Sequence, residues 1–415
     1  MKKLVSIILA GGQGKRMDIL CHGRAKPGLP FAGQFRIIDF TLSNCIHSGI
    51  GEIAVLIDYQ RSYMADYLRA WKTINSGKYN LSILPPRAGY YNGTADAVYQ
   101  NRDYLIKHDA SNIFILAADH VYKMDYRKMF NFHQNKVADI TIGVIPVPIE
   151  QAHRFGIVQT DIKGRIIEFT EKPKYPSSNL ASMGIYIFNR NVLLEQLVED
   201  SKDEYSVHDF GHSILPNLIK KYRVFAHTYN GYWQDIGTVE AYYQASMELT
   251  SKLPSFSLDS NWPIHTRDII LPSSYVSSHG NTNRSIISRD CIIKGKVEDS
   301  IISPGVRIED NAVIRNSVVM ANSAIESDSI IDRCIVDEDV YIGESCHIGM
   351  GTSLLPGDWD ITIIGKGTRI PPHTIIARNC KIMPNVRPED FSSHTVAPGT
   401  VLYHRGSTQN MHQHK

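Results

Sequence analysis

What the sequence most lacks is a surplus of charge of either sign. It carries 44 Lys and Arg against 42 Asp and Glu, a net +2 over 415 residues. That balance excludes the strong one-signed field that nucleic acid or a membrane surface would demand. Cysteine pairs are missing too. The six cysteines, Cys21, Cys45, Cys291, Cys334, Cys346 and Cys380, show no CxxC spacing. They read as reduced structural thiols rather than zinc ligands or a disulfide framework, which points to the cytoplasm. No apolar run approaches the length of a membrane span. Lys2 and Lys3 precede an apolar stretch, but it is short, lacks a small-residue cleavage pattern and runs straight into glycines. It is read as a strand, not an export signal.

What is present is ample core material, 43% hydrophobic residues in a length suited to two or three domains. Leu4 to Ala10 has one polar member and reads as a strand buried on both faces in a parallel sheet. Gly11-Gly12-Gln13-Gly14-Lys15-Arg16 follows. Glycines at the C-terminal end of such a strand can turn their N–H groups toward an anion. The loop nevertheless fails two standard motifs. Met17 stands where a dinucleotide fingerprint needs glycine, and Arg16 where a P-loop needs Ser or Thr. The first reading is a phosphate-binding loop opening a nucleotide site, with a glycine turn without a ligand as the alternative.

To about residue 250 apolar strands alternate with amphipathic helices. Glu52–Ile57, Asn112–Ala118 and Asp139–Val147 are strand candidates. Ser62–Trp71 and a segment from Gly93-Thr94 to Leu105 are helix candidates, and Val158–Phe169 is a hairpin turning at Lys163-Gly164. The expectation is a Rossmann-like doubly wound, mixed α/β sheet over 1–250. A Pro-, Ser- and Asp-rich linker is expected over 251–271. Over 272–391 apolar residues recur every sixth position: Val313, Val319, Ile325, Ile331; Ile330, Val336, Ile342, Ile348; and Ile364, Ile370, Ile376, Ile382. Period six fits neither helix nor alternating strand, and predicts a parallel β-helix of hexapeptide faces. A loosely structured tail is expected over 392–415.

Asp119 directly follows a buried strand, and Asp235 precedes a helix start. Opposite bound phosphates, such carboxylates hold Mg²⁺, which takes oxygen ligands; a helix N-cap is the plainer alternative. Glu171 and Lys172 end a strand side by side, where alternation sends them to opposite faces unless a turn realigns them. Lys26 and Arg36 add cations suited to a polyphosphate.

The series LAGGQGKRM, RAKPGLPFAGQFRIIDFTLSN, GTADAVYQN, ADHVYKMDY, FTEKP, LASMGIYIF, HDFG and YWQDIGT resembles the ADP-glucose pyrophosphorylase family, the glucose-1-phosphate adenylyltransferases of glycogen and starch synthesis. The match runs in order from residue 4 to about 245, and the hexapeptide region fits that family's left-handed β-helix. The resemblance implies ATP plus α-D-glucose 1-phosphate giving ADP-glucose and pyrophosphate, with Mg²⁺, in a homotetramer or a heterotetramer with a paralogous subunit. It implies that Gly11, Gly12 and Gly14 hold nucleotide and phosphates, with Arg16 and Lys26 on the phosphates. Asp119 and Asp235 would hold the metal, and Lys172 the sugar phosphate. Glu171 and Ser182 would contact the sugar, Gly93 and Thr94 would approach the adenine and sugar pocket, Gly156 would line the site, and Tyr91 would close over ATP. The chain departs from the family pattern at Gly23, Gly28, Ala118, His212-Ser213 and Gln234. Three other readings stay open: a weakly catalytic regulatory subunit, a transferase using another nucleotide, and a hexapeptide-repeat acyltransferase.

Overall fold

The computed structural model describes residues 4–74, 79–108, 110–258, 261–267, 270–351 and 360–406. The N-terminal domain is built on nine strands in one mixed sheet. In chain order the elements that matter are β1 (Leu4–Ala10), α1 (Ile37–His47), β2 (Glu52–Ile57), α2 (Arg61–Ile74), β3 (Asn80–Leu84), α3 (Thr94–Gln100), α4 (Arg102–Lys107), β4 (Asn112–Ala117), β5 (His120–Tyr122), α5 (Tyr126–Asn135), β6 (Ile140–Pro146), β7 (Gly156–Thr160), β8 (Ile166–Glu171), β9 (Leu180–Asn189), β10 (Val224–Thr228) and β11 (Trp233–Asp235). The strands run β8-β7-β9-β4-β1-β2-β3, with β6 paired to β9 and β10. β1 lies parallel to β2 and β4, with Leu9 opposite both Leu56 and Ala117. β9 runs antiparallel to its neighbours, as the predicted hairpin β7–β8 also does internally.

β1 is apolar on both faces because cores lie above and below it. Ile8 and Ala10 pack with α1 and α2, and Val5 and Ile7 with α3. The helix expected from Gly93 to Leu105 is two helices, broken at Asn101, whose amide donates to the Ala97 carbonyl.

One buried histidine ties this layer together. His133 of α5 hydrogen-bonds through Nδ1 to Thr141 of β6 (2.8 Å) and through Nε2 to Asn112 of β4 (3.0 Å). Burial pushes its imidazole down to about 4. The unfolded chain therefore binds a proton that the folded chain refuses between about pH 6.5 and 4. Stability is expected to fall by about 3 kcal/mol as pH drops through that window. Urea titrations at several pH values check it, since His133→Gln should flatten that part of the profile.

The C-terminal region is a three-sided prism of parallel strands, one sheet of six and two of seven. This is the predicted β-helix, of the left-handed hexapeptide class. Through the middle of the prism each coil advances 17 residues: Ile308 pairs with Ile325 and that with Ile342, while Ile302 stacks under Val319 and Val336. Three faces of six would need 18, and the missing residue produces the slip in the sequence pattern. Two expected core positions are thereby corrected. Val313 and Ile330 are only half-buried, and their neighbours Ile314 and Ile331 point inward. Asn and Asp at the corners take the left-handed conformation they tolerate, as at Asn311, Asn322, Asp328 and Asp339.

The prism also runs past residue 391. Thr395–Val396 and Val401–Leu402 add strands to two faces, so the tail expected from 392 is ordered to Arg405-Gly406. The histidines at 412 and 414 lie outside the described residues. The linker is no loose tether either. Trp262 donates to Asn44 (2.9 Å) and the His265 N–H to Ser43 (2.8 Å), strapping it along α1. All six cysteines are buried and unpaired. Among the described residues no helix is long and apolar enough to cross a membrane.

The domains share a buried apolar seam. Ile301, Val318, Ile335 and Ile363 point outward from one prism face and pack with Met17, Leu20, Phe31, Phe40 and Ile236. Burial of this kind contributes about 25 cal/mol per Å², which makes the prism a fixed support for the N-terminal domain.

Candidate active site

Parallel pairing of β1 with β4 brings two loops out of the same sheet edge. One is Gly11–Gly14; the other carries Asp119, two residues past Ala117. The turn at Gly14 is left-handed (φ 69°), and a Cβ there would lie 2.7 Å from Cys21 Sγ and 3.0 Å from Lys26 Cβ. Gly12 has no protein atom near its absent side chain. After Asp119 comes a strand, not the helix that an N-cap would open. β5 pairs antiparallel with β11, setting His120 opposite Asp235. Two carboxylates 116 positions apart thus meet at the glycine loop.

Lys26 stands between them. Its Nζ is 2.7 Å from Asp119 Oδ2 and 3.3 Å from Asp235 Oδ1, on a side chain only 8% exposed. Burial alone would lower this ammonium, but the two carboxylates more than offset it and its pKa is raised. For Asp119 burial pushes upward, yet Lys26 and His120 hold the carboxyl well below its usual range. Asp119 is therefore ionised at neutral pH, and its side chain is 34% open to solvent and so to a ligand. Arg16 is exposed and makes no ion pair among the described residues. Its Nη2 lies 3.4 Å from where a Cβ on Gly237 would sit, beside Asp235. Asp119, His120 and Asp235 offer ligand atoms within 4.8 Å of one another. The carboxylates of Asp119 and Asp235, 34% and 15% exposed, are the oxygen donors that would fit Mg²⁺.

A second group forms one wall. Lys172 takes a positive φ (44°), and this turn, at Lys172 itself rather than Pro173, folds its Nζ to 2.7 Å from Glu171 Oε1. Alternation is broken and the pair shares a face. Gly156 and Gly211 leave room for the Glu171 carboxylate, since a Cβ on either would come within 2.7 Å of Oε2. Ser182 Oγ accepts the Gly184 N–H (3.3 Å) at a bulge in β9 and lies 3.5 Å from the Tyr186 hydroxyl.

Two expected contacts have other partners in this structure. The Thr94 hydroxyl donates to Asp209 Oδ2 (2.8 Å) and accepts from the Phe210 N–H (3.0 Å), so it fastens α3 to the HDFG segment. Gly93 packs directly under the His208 carbonyl. Tyr91 donates to the Leu84 carbonyl and accepts from Asn101, and its ring stands beside Gly11. Three residues were missed by sequence reasoning. His120 lies 3.5 Å from Asp119 through Nε2, Asp209 caps the HDFG turn, and Asp58, at the C-terminal end of β2, accepts the Tyr91 N–H. Position at the sheet edge was the available signal for Asp58.

The nucleotidyl transferase family model matches residues 5–252, and the GlmU-like C-terminal hexapeptide model residues 272–354. A glucose-1-phosphate adenylyltransferase of Pseudothermotoga lettingae is 44% identical over 98% of this chain and 100% of its own length. One from Acetivibrio thermocellus is 40% identical over 98% and 99%, and one from Clostridium novyi 45% over 90% and 99%. The chain belongs to the glucose-1-phosphate adenylyltransferase family. Four of the positions expected to depart from the family pattern have the following surroundings. A Cβ at Gly28 would strike the Tyr63 ring, whose hydroxyl donates to the Gly28 carbonyl. Ala118 is fully buried in the core beneath Asp119. Gln234 folds back to donate to the Asp235 carbonyl, and His212 gives its N–H to Asp209. None removes a carboxylate or cation from the site.

Proposed function

We propose that the chain transfers an adenylyl group from ATP to α-D-glucose 1-phosphate, releasing pyrophosphate and ADP-glucose for α-glucan synthesis. The observation that carries the reading is the cluster of Lys26, Asp119 and Asp235 at the mouth of the glycine loop, in a chain aligned end to end with relatives of that name. The glycine loop binds nucleotide and phosphates through backbone N–H groups. Arg16 is free to pair with the triphosphate. Lys172 grips the sugar phosphate and aims one of its oxygens at the α-phosphorus, while Glu171 and Ser182 hold the sugar. As the new P–O bond forms, the bond to pyrophosphate breaks and the charge passes to the leaving oxygens, near Arg16 and Lys26. Such transfer needs positioning and neutralisation rather than a covalent intermediate. Asp119 and Asp235 would hold Mg²⁺, which supplies charge neutralisation on the phosphates when bound.

A pyrophosphate-release assay with ATP and glucose 1-phosphate tests the reading, with UTP, dTTP and GTP run in parallel. Release from ATP alone of the four supports it; no release, or equal use of UTP, would refute it. Lys172→Ala is expected to raise KM for glucose 1-phosphate on the order of tenfold to a hundredfold, with a smaller effect on kcat, the mark of a lost charge-assisted contact. Steady-state kinetics in both substrates check this.

Regulation and assembly belong to the same reading. A cavity of about 200 Å³ between the domains is lined by Arg36, Arg267 and Arg289, and Arg36 Nη1 is buried with no hydrogen-bond partner among the described residues. It suits an anionic effector such as a sugar phosphate. The assembly is taken as a homotetramer, or a heterotetramer with a paralogous subunit, acting in the cytoplasm.

A further inference from the structure

The segment Arg24-Ala25-Lys26 serves both domains at once. Arg24 Nη2 lies 2.5 Å from each oxygen of Asp337, and its Nη1 is 3.6 Å from Glu338. The Arg24 and Asp337 side chains are 3% and 1% exposed. Asp337 and Glu338 directly follow the prism strand Cys334–Val336. Glu338 also accepts from Arg36 (3.0 Å) and Lys366 (3.0 Å). Two positions beyond Arg24, the Lys26 ammonium bridges Asp119 and Asp235. Ala25 between them is fully buried. The Cα atoms of Arg24 and Lys26 are at most about 7 Å apart along the chain, too short a tether to absorb a shift.

We infer that Asp337, supported by Glu338, is a positioning residue for the transfer reaction: from the prism it holds Arg24, and through that short segment it sets Lys26 between the two carboxylates. This rests on the proposed reaction. It makes the β-helix part of the scaffold of the active site rather than an appended assembly module. Ion pairing is suited to the task because the guanidinium is held at two points, Nη2 by both oxygens of Asp337 and Nη1 beside Glu338, which fixes its direction as well as its distance. A buried pair of this kind is a weak stabiliser against an apolar replacement, so its presence calls for a role other than stability.

The test is a double-mutant cycle in the full-length chain. Asp337→Asn keeps shape and one acceptor but removes the charge. It is expected to lower kcat about tenfold while KM for ATP and glucose 1-phosphate stays within twofold. In a Lys26→Ala background the same change should alter kcat by less than twofold, because the group it positions is gone. Asp337→Glu should recover part of the loss. An equal fold-change in both backgrounds overturns the inference, as does unchanged kcat in Asp337→Asn. Should Asp337→Asn fail to fold, the paired change Arg24→Met with Asp337→Leu leaves no buried charge and is read in the same two backgrounds. Failure of both to fold would also overturn it, by making the pair a requirement of the seam itself. Wild-type turnover measured alongside separates the two readings: no ADP-glucose from the wild type refutes the reaction, whereas an active wild type with additive effects refutes only the positioning role.

Discussion

Asp119→Ala is expected to lower kcat on the order of a thousandfold, and Asp235→Ala to do nearly as much, with melting temperatures close to wild type. The size follows from what the carboxylates do. Charge builds on the phosphate oxygens during transfer, and groups preorganised to meet it, directly or through a metal, contribute several kcal/mol. Each single change leaves Lys26 one anionic partner, because its ammonium touches both Asp119 and Asp235. The buried cation is thus never stranded, and the fold should survive. Since the two carboxylates act as one unit, the double mutant should cost little more than either single one. Mg²⁺ dependence gives a second readout: both variants should need far more Mg²⁺ for half-maximal rate. Near-normal turnover in either would remove the carboxylate pair from the mechanism, and a collapse in melting temperature would assign them a structural role instead.

The sequence made the sheet legible where burial was uniform. β1 and β4 are continuous apolar runs, and β2 was bounded without error, because a strand covered on both faces has no competing pattern. It made α3 and α4 look continuous because the break is a side-chain event: Asn101 turns its amide back onto the Ala97 carbonyl, which no periodicity reports. In the prism the period of six was correct and ten of the twelve expected inward residues lie in its core; only Val313 and Ile330 do not. The cause was visible. The doublets Val313-Ile314 and Ile330-Ile331 carry one apolar residue inward and leave the other half-buried on the outer surface. A counting rule that allows one apolar residue per face cannot tell them apart.

The site was legible in part. Strand ends pointed to the edge where Asp119 emerges, but neither spacing nor propensity brings Asp235 to it. That needs the β5–β11 pairing, a contact between distant segments. Lys172 was ambiguous for a local reason, since a positive φ in a lysine is unfavourable and is not read from residue type. Thr94 shows the converse: a motif residue whose hydroxyl is occupied by Asp209 and Phe210.

The glycine loop supplies the other large prediction, a contrast between two of its members. Gly14→Ala is expected to destabilise the N-terminal domain by about 2–4 kcal/mol, from the left-handed backbone and from overpacking against Cys21 and Lys26. Lys26 would also be pushed off its carboxylates, so activity should fall with stability. Gly12→Ala should leave melting within about a degree, because a Cβ there meets no protein atom within 4 Å. Whatever it costs must then come from the ligand. If the loop cradles the triphosphate, the new methyl intrudes on the phosphates, and kcat/KM for ATP should drop by tenfold or more. Thermal melts with and without ATP distinguish the two effects: Gly14→Ala should melt low in both, and Gly12→Ala should lose only the shift that ATP gives. An unchanged ATP-induced shift in Gly12→Ala would mean that the nucleotide does not approach the backbone at that glycine.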